Sequence, residues 1–279
     1  MTTIDLDTTL ADVVTEHPQL ARELERRGLD YCCGGRRTVA EASSAAGLDP
    51  GAVVDELVAV TATESVGAEE PWATMGVVDL VDHIVATHHR YLWDELPRLT
   101  ALVEKVAGVH GGRHPELADV ARILAALRAD IEPHLTREER VLFPMIRELA
   151  AADALPSFHC GSLARPISLM LVDHDRVGEL LAELRAATGA FSVPADGCAS
   201  FQACYQGLAE LEADTHLHVH KENNLLFPAV VRLERERAGM AGPGPATPLR
   251  SAGRSGVRAS RNPTVRNAGW GPAPGTGQR

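Results

Sequence analysis

An all-α fold, with a small N-terminal helical domain ahead of an antiparallel four-helix bundle, is predicted by three observations. The 279 residues are 45% hydrophobic but only 4% aromatic, so the core must be built from Ala, Leu and Val, which suit helices better than sheets. Four segments between residues 75 and 238 repeat their apolar residues at steps of three and four, which puts each set on one helix face. Short connections join the four segments, as in an antiparallel bundle.

The first unit spans residues 1–62. Leu10, Val13, Val14, Leu20 and Leu24 open it, and a loop follows from Gly28 to Arg37. Two short helical patterns come next, the second entered through Asp49 as N-cap and Pro50 at the first helical position. A unit of about 55 residues buries little core, so it is expected to dock on another surface or to form a homodimer. An acidic linker, 63–74, leads to the bundle, 75–238. The last segment, 239–279, is rich in Gly, Pro and Ala and reads as a disordered basic tail.

Charge narrows the function classes. The net charge is −11, and the six Arg after residue 239, with no Lys or acid among them, leave −17 for the rest. A body this acidic argues against nucleic acid as a partner. No stretch approaches the roughly 18 apolar residues of a membrane span, and Met1 to Asp12 carries no basic leader segment. A cytoplasmic protein without a membrane partner is expected. Five Cys in that setting do not suggest a disulfide framework.

The chemistry lies where the stripes stop being apolar. The first runs Val78, Val81, Val85, His89, Leu92, Leu96, Leu99, Val103. The second runs Leu117, Val120, Leu124, Leu127, Ile131, His134, Glu138, Val141, Met145. Ile167, Met170, His174, Val177, Leu181 and Leu184 form the third, and Phe201, Leu208, Leu211, Thr215, His218, Glu222 and Leu225 the fourth. His134 with Glu138, and His218 with Glu222, are four residues apart and share a helix face. The pairs repeat: each is followed by Leu-Phe-Pro, at 142–144 and 226–228. The bundle therefore reads as two copies of one helix pair, each supplying a lone His and a His-x-x-x-Glu. His88 is adjacent to His89, but the stripe favours His89; His216 and His220 lie off the inner face and read as surface or supporting groups. Pro133 is expected to bend the second helix just before these residues.

Burying four imidazoles and two carboxylates without a cation would cost several kcal/mol for each unpaired charge. Nitrogen and oxygen ligands without thiolate disfavour structural zinc, and calcium and magnesium prefer oxygen-only shells. Two iron ions with an oxo or hydroxo bridge fit His89, His134, Glu138, His174, His218 and Glu222; manganese or a mixed pair satisfies the same set. Asp130, one turn before His134, and Asp173, beside His174, are candidates to orient an imidazole through its other ring nitrogen.

Residues 75–238 resemble a hemerythrin-like di-iron domain. The run Asp30-Tyr31-Cys32-Cys33-Gly34-Gly35 resembles the signature of an ScdA-type N-terminal domain. In this order the two resemble the Repair of Iron Centres family over about residues 5–235, leaving only the tail without a counterpart. The resemblance implies the six ligands just named, with the two Glu bridging the irons. It also implies support for repairing iron–sulfur clusters damaged by oxidative or nitrosative stress, through iron donation to the damaged proteins. Adjacent Cys32 and Cys33 do not chelate as a C-x-x-C pair does, and a disulfide between neighbours is strained. With Arg36 and Arg37 nearby to favour thiolate, they read as an exposed dithiol that hands over iron or reacts with NO. Cys160, Cys198 and Cys204 fit no such pattern. Two other functions suit the same bundle: an O2 or NO sensor or carrier, which needs no Cys-Cys domain, and a di-iron enzyme reducing NO to nitrous oxide, which needs open positions on both irons.

Overall fold

Threonine caps open two of the N-terminal helices. The computed structural model describes residues 4–63 and 72–239. Thr9 accepts from the Asp12 amide at the start of α1 (Leu10–Glu16). After a short 3₁₀ turn come α2 (Ala21–Arg26) and the loop carrying the two cysteines. Thr38 and Glu41 form a reciprocal capping box at α3 (Val39–Ala45), which satisfies two amides that the first turn leaves unpaired. Asp49 accepts from the Ala52 amide, 2.8 Å, where α4 (Pro50–Thr63) begins, as the sequence predicts. Residues 64–71 of the expected linker, and the expected tail beyond residue 239, lie outside the described residues.

The bundle has four rods, and three of them contain a π-helical turn. The first is α5 (Val77–Ile84), a π turn at Val85–His89, then α6 (Arg90–His110). The second is α7 (Glu116–Arg137), a π turn at Glu138–Leu142, then α8 (Phe143–Ala151). The third is the uninterrupted α9 (Ala164–Ala187). The fourth is α10 (Ala199–His220), a π turn at Lys221–Leu226, then α11 (Phe227–Arg237). Among the described residues no strand forms beyond a single antiparallel bridge between Thr9 and Thr38. None of their helices is long and apolar enough to cross a membrane.

The π turns correct the predicted stripes. A π turn adds one residue, so the inward face shifts by about 100° along the helix. Val141, expected inside, is 46% exposed, and Leu142 is buried in its place. Leu226 is fully buried where Leu225 was expected. Pro144 and Pro228 follow the second and third π turns. Each lacks an amide for the carbonyl four residues back, and its ring crowds that carbonyl; a widened turn relieves both. Pro133 does not break α7, which continues to Arg137, so the change of register comes after His134 rather than before it.

Apolar packing falls into two clusters, with the His and Glu residues between them. One contains Leu92, Leu99, Leu124, Leu127, Val177, Leu181 and Leu208. The other contains Val81, Ile84, Phe143 and Phe227 from the bundle together with Leu10, Leu24, Tyr31, Val39 and Leu57. The N-terminal unit therefore buries its apolar face against its own chain's bundle. That resolves how so small a unit is stabilised. Gly35 permits the close approach. A Cβ there would lie 2.4 Å from the Tyr31 carbonyl oxygen and 3.0 Å from the Asn224 side chain. The same carbonyl accepts hydrogen bonds from Asn224 Nδ2, 3.3 Å, and His220 Nδ1, 3.4 Å.

Gly35→Ala should therefore push the cysteine loop off the bundle. We expect a lower urea midpoint, a loss of about 1–3 kcal/mol from forced overpacking, and faster reaction of Cys32 with a thiol reagent. Wild-type stability and thiol kinetics would contradict the docking.

Candidate metal centre

The sequence-predicted His and Glu residues meet at one level of the bundle. His89 closes the first π turn, Glu138 and Glu222 lie in the second and third, and His134, His174 and His218 come from α7, α9 and α10. All six are buried. Two clusters have ligand atoms within 4.8 Å of one another: His89, Glu138, His218, Glu222 and His134, Glu138, His174, Glu222. Each cluster joins one imidazole from each sequence repeat, and both carboxylates belong to both.

The imidazoles point their Nε2 atoms inward. His89 Nε2 is 3.2 Å from His218 Nε2, and His134 Nε2 is 3.1 Å from His174 Nε2. An octahedral ion with metal–nitrogen bonds of about 2.1 Å sets neighbouring nitrogens about 3.0 Å apart. Glu138 Oε2 is 3.2 Å from His134 Nε2 and 3.5 Å from His89 Nε2; Glu222 lies 3.1 Å from His174 Nε2 and 3.3 Å from His218 Nε2. None of these approaches has the direction of a hydrogen bond to carboxylate. All four oxygens of Glu138 and Glu222 are buried without a hydrogen-bond donor among the described residues. Such groups are costly unless a cation meets them. The donor set and its geometry fit a pair of borderline metal ions such as iron.

Three of the four outward ring nitrogens have partners of their own; His218 Nδ1 is buried without one among the described residues. His89 Nδ1 faces Glu139 Oε1 at 3.0 Å, His134 Nδ1 faces Asp173 Oδ2 at 3.2 Å, and His174 Nδ1 faces Asn223 Oδ1 at 2.7 Å. A donor proton held on Nδ1 leaves the Nε2 lone pair free for a metal. Asp173 thus serves His134 across the helix interface, not the His174 beside it in sequence. Asp130 does not do the same: it turns to Arg176, 3.7 Å, at the surface. Helical spacing alone does not single out Glu139 and Asn223. Each sits one residue after a Glu ligand candidate, and that adjacency was the available signal.

His88 forms a second buried layer. Its ring stacks on His218, with centroids 5.6 Å apart. Its Nδ1 is 2.8 Å from Asp214 Oδ1, and its Nε2 accepts from Lys221 Nζ at 2.8 Å. Lys221 also reaches His83 Nε2, 2.9 Å, and lies over the Trp72 ring, 4.3 Å from its centroid. Burial and the Lys221 charge hold His88 neutral, well below its ordinary range. Burial opposes charge on His134 as well, but Glu138, Glu222 and Asp173 outweigh it and raise it to about 9. His216 keeps the supporting place expected of it, beside Glu25 at 3.2 Å. His220 is fully buried against Tyr31 and Trp72 under the N-terminal unit, not at the surface.

The cysteine pair is not the exposed, arginine-activated dithiol that was expected. Cys32 is buried and Cys33 half-buried. The neighbouring Cys33 thiol, burial and Asp30 push the Cys32 thiol well up, away from thiolate. The loop docks through Asn224, which donates to the Cys32 carbonyl at 3.1 Å, and Asn223, which donates to the same oxygen at 3.4 Å. Asn223 therefore touches both the cysteine loop and His174.

Two family descriptions match this chain: the hemerythrin HHE cation binding domain over residues 80–230, and ScdA_N, a domain of unknown function, over residues 6–61. Among curated proteins, the iron-sulfur cluster repair protein YtfE of Enterobacter sp. (strain 638) is 32% identical over 226 residues, covering 80% of this chain and 96% of the relative. Proteins of the same name from Cronobacter sakazakii (31% over 229 residues, 82% and 98% covered) and Citrobacter koseri (32% over 222 residues, 80% and 96% covered) are similarly close.

Two outcomes test the geometry. Asp173→Ala should weaken metal binding about ten- to a hundredfold by freeing the His134 ring, whereas Asp130→Ala should leave it unchanged; competition against a chelator measures both. Because His134 of the metal-free protein keeps its proton up to about pH 9, loading must displace that proton, and affinity should rise between pH 6.5 and pH 8. Equal affinities at the two pH values would contradict this.

Proposed function

The chain belongs to the hemerythrin HHE cation-binding family and, over most of its length, to the YtfE-type iron-sulfur cluster repair proteins, and from that premise we propose that it restores damaged clusters by donating iron from its His and Glu centre. One observation carries this reading: two buried carboxylates, without hydrogen-bond donors among the described residues, are shared by two imidazole pairs. In this reading His89 and His218 would hold one iron and His134 and His174 the other, with Glu138 and Glu222 within reach of both. Bound there, the irons supply a redox-active pair with room for a small ligand such as O2 or NO.

The chain's own groups hold and release that iron. Glu139, Asp173 and Asn223 fix the three rings whose Nδ1 they face. Arg137 reaches the same Asp173 oxygen, 2.6 Å, and so steadies the carboxylate that orients His134. The cysteine loop closes over the α9 and α10 side of the centre through Asn223 and Asn224, and Cys32 and Cys33 serve as the transfer thiols. The client is a cytoplasmic protein whose iron–sulfur cluster has lost iron to peroxide or nitric oxide.

Reactivation of peroxide-damaged aconitase tests the proposal. The iron-loaded chain should restore activity faster than an equal amount of free ferrous iron, and the Glu138→Gln/Glu222→Gln variant should fall to the free-iron rate. No advantage of the wild-type chain over free iron would overturn the donation reading.

A further inference from the structure

The cysteine loop brings together a third group of ligand atoms, separate from the two in the bundle. Asp30, Cys32 and Cys33 place a carboxylate oxygen and two sulfurs within 4.8 Å of one another. The two Sγ atoms are 3.8 Å apart, and Cys32 Sγ is 3.3 Å from Asp30 Oδ1. A tetrahedral ion with metal–sulfur bonds of about 2.3 Å has an edge of about 3.8 Å between its sulfurs, and an oxygen ligand at about 2.1 Å lies slightly nearer to each sulfur than that. These two edges thus have about the spacing of a tetrahedral site, and the Asp30 carboxylate lies within 4.8 Å of Cys33 Sγ.

The loop is built to hold that shape. Asp30 Oδ1 accepts from the Cys32 amide, 3.0 Å, and the Cys33 amide, 2.9 Å, while Oδ2 accepts from the Gly34 amide, 2.9 Å. These bonds fix the carboxylate beside the thiols. The Cys32 thiol also donates to Oδ1, 3.3 Å, and a cation would take the place of that proton. The site also touches elements that carry the centre. The Cys32 carbonyl is bonded by Asn223, whose other end meets His174 Nδ1, and Cys33 Sγ rests against α9 at Gly178, one turn beyond His174.

We propose that Asp30, Cys32 and Cys33 form a three-ligand site for a divalent, thiophilic cation, a port through which ferrous iron passes between the bundle and a client. Binding takes up one divalent ion and releases two thiol protons, with no change of oxidation state; both sulfurs bind as thiolates, and Asp30 supplies the oxygen. The fourth position is left for a client ligand. The port role rests on the donation reading above, but the cation site does not.

Cobalt(II) is the probe. The full chain is first filled with iron in its His and Glu centre, then titrated anaerobically with cobalt(II). One equivalent should produce a thiolate-to-cobalt charge-transfer band in the near ultraviolet, a signal that imidazole and carboxylate ligands do not give, with release of two protons. Cys33→Ser should cut the band by about half, and Cys32→Ser/Cys33→Ser should abolish it, at unchanged iron content and helical circular dichroism. Asp30→Asn should weaken cobalt binding about tenfold or more. No band in the wild-type chain, or a band that survives loss of both thiols, overturns the site; unchanged affinity in Asp30→Asn overturns the three-ligand assignment. If the cobalt band appears while aconitase reactivation fails, the donation reading falls and the site stands; the reverse pair of results removes the site alone.

Discussion

Two fully buried carboxylates, those of Glu138 and Glu222, lack hydrogen-bond donors among the described residues and constrain the rest of the molecule. In an apolar interior that arrangement is costly unless cations occupy the space between the carboxylates and the imidazoles. The polar layer therefore divides the core into two apolar clusters, and the two repeats must meet across it so that imidazoles of both reach each carboxylate.

The backbone is adjusted to the same end. A regular helix already sets the His and Glu of a pair on one face; the π turn changes which residues beyond each Glu face the core, so that Leu142 and Leu226 are buried. A π turn at His89, at Glu138 and at Glu222 inserts one residue at the level of the site. π turns are weaker than α-helix and persist where a site requires them. The proline after each Leu-Phe pair removes the amide that would otherwise favour a regular turn. The third rod has no π turn, and α9 carries a single ligand candidate, His174.

The fold class, the four stripes and the convergence of His89, His134, Glu138, His174, His218 and Glu222 were legible because helical spacing and a repeat are properties of the chain itself. What could not be read depended on other elements. Val141 was placed inside because periodicity assumes about 3.6 residues per turn throughout. Asp173 is a candidate to orient an imidazole from sequence, but which ring it serves is not legible there, because its partner His134 stands on the facing helix. His220 and Cys32 looked accessible because nothing local indicates that the N-terminal unit would cover them. His88 could be set aside from periodicity alone, but its buried chain to Asp214 and Lys221 required three separate elements to be in place.

The docked loop gives the molecule its second feature. A cap that shares a hydrogen-bonding side chain with a ligand candidate ties the position of the thiols to the state of His174. Whether the centre holds a coupled metal pair is the question on which the account turns. Metal analysis combined with Mössbauer spectroscopy on the iron-supplemented protein answers it most directly. The account predicts two antiferromagnetically coupled irons per chain, with the coupling lost when either Glu138 or Glu222 is replaced. One iron per chain, or two uncoupled irons indifferent to those replacements, would contradict it.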